Sequence, residues 1–317
     1  MKPKLLYCIL LLLCSASCLQ LQAQTDQDAL MMDKNNLCIG PMYSHSSWKK
    51  YWEGTFKRDN QNLGTVTTQM VSIMGNYGIT RRLNVMAGLP YIFTKASAGT
   101  LHGLHGLQDV NAWIKWMPVE TSLGKGVFSV YTLGGFSLPA SNYTPDFLPM
   151  SIGLHSKTLM ARLMLDYQVG GFFVTGWGAM NWRSNIHLDR TSYYTTSLHL
   201  TNEVEMPDMA AFQLRTGYRS DYLIAEAIVS NNTTIKGFDM RKNDMPFPSN
   251  KMNMTTAGFN VKYTLKAVSG LSLIGAGNYV VHGRNVGQAL TLDAGIFYII
   301  DFTRKSKIVS SSKTNVP

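Results

Sequence analysis

Beyond residue 23 the chain has one cysteine, Cys38, no apolar run long enough to cross a membrane as a helix, and no block of like charge. Charged residues of all kinds make up only 15% of it. Each shortage excludes something. A lone cysteine forms no internal disulfide and no zinc-type cluster. Without a long apolar run there is no spanning helix. The formal net charge is +10, yet Lys and Arg are scattered and no aromatic-basic reader motif accompanies them, which argues against a nucleic-acid partner. A basic surface beside anionic lipid headgroups accounts for the excess. A Pro-rich or Ser-rich linker is missing as well, so the chain reads as one domain after its leader.

The leader is the first thing present. Met1-Lys2-Pro3-Lys4 is basic, Leu5 to Leu13 is a short apolar core, and Ala23 precedes Gln24. This pattern predicts a secretory signal peptide over 1–23, which takes Cys8, Cys14 and Cys18 with it. Cys18, in "SASC", leaves a lipoprotein alternative open, weakened by Ser15 where a Leu-like residue is favoured.

The remainder alternates with period two. After the corner Thr80-Arg81-Arg82, the residues Leu83, Val85, Ala87 and Leu89 share one parity, and Asn84, Met86 and Gly88 the other. The same division recurs in Val110, Ala112, Ile114 and Trp116 against Asp109, Asn111, Trp113 and Lys115, and in Phe259, Val261 and Tyr263 against Asn260 and Lys262. Sorted this way the chain holds about twelve strands, most of about 10 to 14 residues, against the 9 to 11 that a tilted membrane strand needs. The weakest of them is the opening strand near 37–45. The connections alternate strictly in length. Short turns at Thr80–Arg82, Pro118–Lys125, Val169–Gly171, Arg219–Asp221 and Lys266–Gly270 interleave with loops at 46–63, 94–106, 139–156, 185–207, 232–250 and 284–288.

A soluble sandwich would turn its apolar faces inward and has no reason to sort its loops. An outer-membrane barrel does both things the sequence does: its apolar faces look at lipid, and short periplasmic turns oppose long outer loops. The fold expected is therefore all-β, a transmembrane antiparallel β-barrel over 37–302 in the outer membrane of a Gram-negative bacterium. Residues 24–36 form a periplasmic N-terminal segment and 303–317 a polar C-terminal tail. Trp116, Tyr167, Trp182, Tyr218, Tyr263, Tyr298 and Phe302 suit the interfacial girdles.

The stretches "YGITRRLNVMAGLPYI" and "GLQDVNAWIKW" resemble the strand-turn-strand signature of an outer-membrane transporter family labelled as belonging to the meta-pathway of phenol degradation, in a Bacteroidetes-type branch. Asp109 and Lys115 take that family's acidic and basic positions, while His105-Gly106-Leu107-Gln108 replaces its usual glycine pair. The resemblance implies a barrel that admits small, often aromatic, compounds.

Parity turns a charged set toward the lumen: Asp109, Lys115, Arg162, Asp166, Arg183, Arg215, Glu226, Lys262 and Asp293. These charges either select solutes or pair to seal a narrow barrel, Lys115 with Asp109 for example. Met74, Met86, Trp113, Met160, Met164, Phe173 and Trp177 face the same way, to meet a hydrophobic ligand or to pack a plug built from 24–36. His102 and His105 in "LHGLHG" make a weak metal pair, and no metal or cofactor is expected. The His–Ser pairs His45/Ser47 and His155/Ser156 lack an orienting acid nearby, so an enzyme of the lipase kind is the least favoured reading. The function expected is a passive channel for small molecules, hydrophobic or aromatic ones among them. The alternative is a closed structural or adhesive barrel whose outer loops bind a partner. Its partners would be outer-membrane lipid, a small solute and the barrel assembly machinery.

Overall fold

A computed structural model describes residues 25–242 and 244–303. The expected signal peptide and almost all of the expected polar tail lie outside the described residues. Twelve antiparallel strands form the wall. They are β1 (Asn36–Trp48), β2 (Val66–Thr80), β3 (Leu83–Ala96), β4 (Asp109–Leu123), β5 (Gly126–Pro139) and β6 (Thr158–Val169). The second half comprises β7 (Phe172–Arg183), β8 (Met209–Arg219), β9 (Leu223–Thr234), β10 (Asn253–Thr264), β11 (Leu271–Arg284) and β12 (Leu290–Asp301). Every strand pairs with its neighbours in sequence, and β1 closes the ring on β12 in a register running from Asn36↔Asp301 to Ser47↔Leu290. Closure leaves no strand with a free edge, the condition for a sheet to sit in hydrocarbon.

The face assignment follows the alternation in the sequence. Val85, Leu89, Leu163, Leu165, Phe259, Val261 and Ile296 are exposed on the outside, whereas Asn84, Lys115, Thr175 and Ser272 are completely or almost completely buried within. A soluble core is the reverse of this. It is the arrangement expected where the outer surface meets acyl chains rather than water. Trp116, Tyr218, Tyr263 and Tyr298 are exposed near the short-turn end and Trp182 near the long-loop end.

The opening strand, read from sequence as its weakest element, is thirteen residues long and pairs on both sides. The connection expected at Pro118–Lys125 is instead mostly strand. The β4–β5 register shifts between Trp116 and Val119, and pairing resumes to Leu123↔Gly126, so the true turn is Gly124–Lys125. Pro118 sits in the bulge, where a residue without an N–H costs the ladder nothing, and its presence suggested a break that the bulge absorbs. The outer loops carry short hairpins of their own, Lys50–Glu53 with Phe56–Asp59 and Tyr193–Tyr194 with Leu198–His199. Ile186, Leu188, Tyr193, Val204 and Met206 pack into a small apolar cluster among the loops.

Residues 25–35 depart from the expectation of a periplasmic segment. They run inside the barrel. The chain crosses the rim over Gly78, where a Cβ would lie 2.1 Å from the Asp33 carbonyl oxygen, and Asn35 N donates to Gly78 O at 2.8 Å. From there the segment rises into the lumen, the plug alternative that the inward Met and aromatic residues had left open.

Leu163 lies halfway along β6 on the lipid face, 53% exposed. Leu163→Arg should cost about 2–4 kcal/mol of folding stability in vesicles, and Leu159→Arg, near the outer rim, under about 1 kcal/mol. Urea-dependent folding into lipid vesicles measures both, and equal costs would contradict the lipid-facing assignment.

Candidate functional site in the barrel lumen

The lumen is built around Lys115. Its position on β4 turns it inward, and its side chain is 0% exposed. Nζ donates to the carbonyl oxygens of Thr25 (3.2 Å), Asp28 (2.5 Å) and Leu30 (2.8 Å) and to Asp28 Oδ1 (3.2 Å). A buried ammonium needs acceptors and an opposite charge, and the inserted segment supplies both. The partner is therefore Asp28 and not Asp109. Asp109 and Lys115 share a face of one strand but stand six residues apart, about 20 Å at 3.3 Å per residue. Asp109 instead accepts a hydrogen bond from Tyr143 in the outer loop. Burial, with Asp109 beside it, pushes the Tyr143 hydroxyl well above its ordinary range, so it remains a donor.

Arg162 repeats the device. Its guanidinium donates to Asp26 Oδ2 at 3.1 Å and to the Asp26 carbonyl, and lies over the rings of Trp177 (4.1 Å) and Trp113 (5.0 Å). Tyr131 donates its hydroxyl to Ala29 O at 2.9 Å. With its amide oriented to match, Asn84 pairs with both backbone groups of Met32. Arg215 reaches Gln27 Oε1 at 3.2 Å. Ala29 packs among Met86, Trp113, Met164 and Trp177, with Met160 at the margin, and Met32 among Cys38, Phe297 and Ile299, with Met74 at the margin.

The remaining predicted charges are also accounted for. Arg215 pairs with Glu226 at 2.8 Å, and Asn260 donates to the same oxygen at 2.7 Å. Asp166 accepts from Arg219 at 3.0 Å and from Thr175. Arg219, assigned to a turn from the sequence, holds its guanidinium 3.4 Å from the Phe173 ring centre. Arg183 ends β7 at the outer rim and contacts Pro207 O and Met209 Sδ. Lys262 and Asp293 line the cavity described next. The alternation in the sequence also turns Arg219, Tyr131 and Gln213 inward, but sequence reasoning did not single them out as site residues and did not assign the segment's acids. The clue lay in "TDQDAL", two carboxylates spaced to meet two inward cations.

None of the catalytic or metal candidates is assembled. His45 and Ser47 point outward on β1. Ser156 donates to Ser184 O, and the His155 ring packs edge-on against Tyr143. His105 Nδ1 is bonded to the Tyr91 hydroxyl, and no group of three or more metal-ligating side chains occurs among the described residues.

Residues 25–31 lie chiefly against the β3–β7 wall, with Gln27 met by Arg215 of β8 and Met32 packed on β1 and β12 near the short-turn end, and most of the opposite wall above is left uncovered. There a cavity of about 530 Å³ runs between the segment, β8 to β12 and β1. Ile224 and Asn232, both on β9, border it, so it extends about 26 Å along the strand. That volume over that length is a slot, not a wide pore. A second cavity of about 740 Å³ sits at the short-turn end, bordered by Arg81, Arg82, Glu120 and Lys125. Leu30 borders both cavities. Arg219 lines the first, and its partner Asp166 the second. Leu30 and this ion pair therefore lie between the two cavities.

No family model matches the chain, and no curated protein does. Among solved structures, an outer membrane channel from Pseudomonas putida F1 aligns over 88% of this chain and 100% of that one, with a TM-score of 0.69 at 13% identity. At that identity the likeness is one of fold. The translocator domain of the autotransporter NalP from Neisseria meningitidis covers 86% of this chain and 90% of its own at 10% identity. The NanC porin covers 81% and 98% at 6% identity. Both have TM-scores of 0.44, too low for any comparison of sites.

Lys115→Met should strand the Asp28 carboxylate and three carbonyls and weaken seating of the segment by about 3–5 kcal/mol. Acrylamide quenching of Trp113 and Trp177 should rise in the variant. Unchanged quenching would mean that the segment is held without this contact.

Proposed function

We propose that the protein is an outer-membrane channel through which small solutes diffuse passively along the β8–β12 wall, past Leu30, into the cavity at the short-turn end. The single observation that carries this reading is the pair of cavities on the two sides of the inserted segment, both bordered by Leu30. The fold resemblance to an outer membrane channel supports it, as does the strand signature over 76–117 typical of outer-membrane transporters. A signal peptide at 1–23 would deliver the chain to the outer membrane, with the long loops outside and the short turns in the periplasm.

The solutes are small molecules with both apolar and polar parts. Of the Met and aromatic residues that face inward, Met86, Trp113 and Met164 are taken up by packing against the segment, while Met74 and Trp177 also border the cavity along β8–β12. The wall a solute would meet mixes Met42, Ile228 and Val280 with Asn260, Asn278 and Thr291. The transport is uncoupled: a slot of this kind selects by width and wall chemistry. A closed structural barrel has one observation in its favour, the depth to which residues 25–32 fill the lumen.

Planar-bilayer conductance and proteoliposome swelling separate the two. The intact chain should pass small solutes slowly. Deleting residues 25–32 should raise conductance several-fold, and Leu30→Ala should raise it by less. Absence of any ion or solute passage, with the segment present or removed, would exclude the channel.

A further inference from the structure

The slot ends, toward the outer loops, at a place where the wall has no side chain of its own. Along β10 and β11 the lining residues nearest those loops are Met254 and Val280. Beyond Val280 the next inward position on β11 is Gly283. The register shows why: Thr256 pairs with Val280 but Thr255 with His282, so Val281 is an extra residue, and Gly283 then pairs with Met254. Paired residues share a face of the sheet, so Gly283 faces the lumen beside Met254. A Cβ at Gly283 would come within 2.6 Å of the Trp52 ring. Trp52 belongs to the first outer loop and is only 6% exposed. Its indole therefore lies in the mouth of the barrel, directly above the outermost lining of the slot.

The hairpin Lys50–Glu53/Phe56–Asp59 delivers Trp52 to that place. It docks on residues 285–288, between β11 and β12. Trp52 N donates to Val286 O (2.9 Å), Gln288 N to Lys50 O (2.7 Å) and Asn285 N to Gly54 O (3.2 Å). Asn285 fastens the arrangement. It is buried and sits at φ 51°, a left-handed conformation that asparagine tolerates better than most side chains. Its Oδ1 accepts from Gly54 N (2.7 Å) and Met240 N (3.2 Å), and its Nδ2 donates to Asp239 Oδ1 (2.8 Å) and Lys251 O (2.6 Å). One amide thus ties the hairpin to the β9–β10 and β11–β12 loops.

Elsewhere the hairpin is lightly held. Asn60 N donates to Lys49 O at 2.8 Å and closes its base, which makes it a unit. Phe56, near its tip, is 63% exposed, and its ion pair Lys50–Asp59, at 4.0 Å, is exposed on both sides and adds little. A two-stranded ribbon is marginal by itself. The seat of Trp52 and the bonds to residues 285–288 are what keep it down. Elements with so few buried contacts open locally while the rest of a fold stays intact. We propose that residues 49–60 are a hinged lid over the outer end of the slot, with Trp52 as its stopper and Asn285 as its latch, and that this structure is its closed state. The proposal rests on the channel reading for what the lid admits, but its opening is measured without any solute crossing the barrel.

A cysteine in the slot reports the lid directly. Ser230 lines the slot on β9, and Ser230→Cys in a Cys38→Ser background leaves one thiol beyond residue 23. A membrane-impermeant methanethiosulfonate added outside intact cells measures the exposure of that thiol in the full chain. Trp52→Ala should raise the labelling rate about tenfold or more, since truncating a buried tryptophan removes both the stopper and its packing. Gly283→Ala, whose methyl takes the place of the ring, should act in the same direction. So should Asn285→Gly, which keeps the backbone angle and removes the amide. A cross-link does the opposite. Tyr51 bridges Gly287, which sets Lys50 opposite Gln288, and both border one outer recess. A Lys50→Cys/Gln288→Cys disulfide should lower planar-bilayer conductance several-fold, and dithiothreitol should restore it. Unchanged labelling in Trp52→Ala, Gly283→Ala and Asn285→Gly would overturn the lid, as would a measurable conductance that the cross-link leaves unaltered. Faster labelling with no conductance in any form removes the channel and leaves the lid. Steady conductance with unchanged labelling removes the lid and leaves the channel.

Discussion

Backbone amides in hydrocarbon have no water to bond to, and the ladder between β1 and β12 is where this protein meets that demand. Eleven strand pairings follow the order of the chain and need only short turns or outer loops to form. The closing pair joins residues more than two hundred positions apart, from Asn36↔Asp301 to Ser47↔Leu290. Without it both strands would present a row of open donors and acceptors to lipid, each at a cost of several kcal/mol. Closure has a second effect. It brings Asn35 to the rim beside Gly78, which aims whatever precedes β1 across the mouth of the barrel.

Once the ring is shut, the inside has a different problem from the outside. A small barrel cannot hold bulk water around every inward charge, so each charge needs a partner from the wall or from the lumen. The inserted segment answers with backbone carbonyls as much as with carboxylates. Three of the four oxygens around Lys115 Nζ are main-chain. This explains how a segment of eleven residues with no strand or helix of its own can hold one position. Its unpaired carbonyls, which would be a liability in a buried loop, serve as acceptors for wall cations. Ala29 and Met32 then anchor it apolarly at two heights.

Much of this was legible in the residues, and the limits were physical. The strands, their inward and outward faces and the alternation of turns and loops could be read because period-two alternation is a local property. The lumen-facing charges could be read for the same reason. Partners could not. Lys115 and Asp28 are separated by three whole strands, and no local rule links them; proximity along one face suggested Asp109 instead, although strand rise puts it out of reach. The Pro118 bulge was misread as a turn because proline marks breaks more often than bulges. Arg219 looked like a turn residue because it ends its strand, yet its side chain folds back over Phe173 to reach Asp166. The path of residues 25–35 was open between two readings, since an irregular segment carries no period to reveal its surroundings.

The slot along β8–β12 comes from side-chain volume and not from any break in the wall. On the β4–β7 side the inward positions are filled by Trp113, Tyr131, Arg162, Met164 and Trp177, large groups that both hold and crowd the segment. On the opposite side the corresponding positions include Ser230, Thr256, Ala276, Asn278 and Thr291. Backbone pairing is continuous on both sides, so the barrel itself is indifferent to which wall the segment takes. The large side chains supply the dispersion and cation–π contacts that draw the segment to one wall. The small ones leave the other wall with space that nothing in the described chain fills. A sequence of this kind therefore encodes the slot twice: through the residues that hold the segment to one wall, and through the small residues that decline to occupy what it vacates.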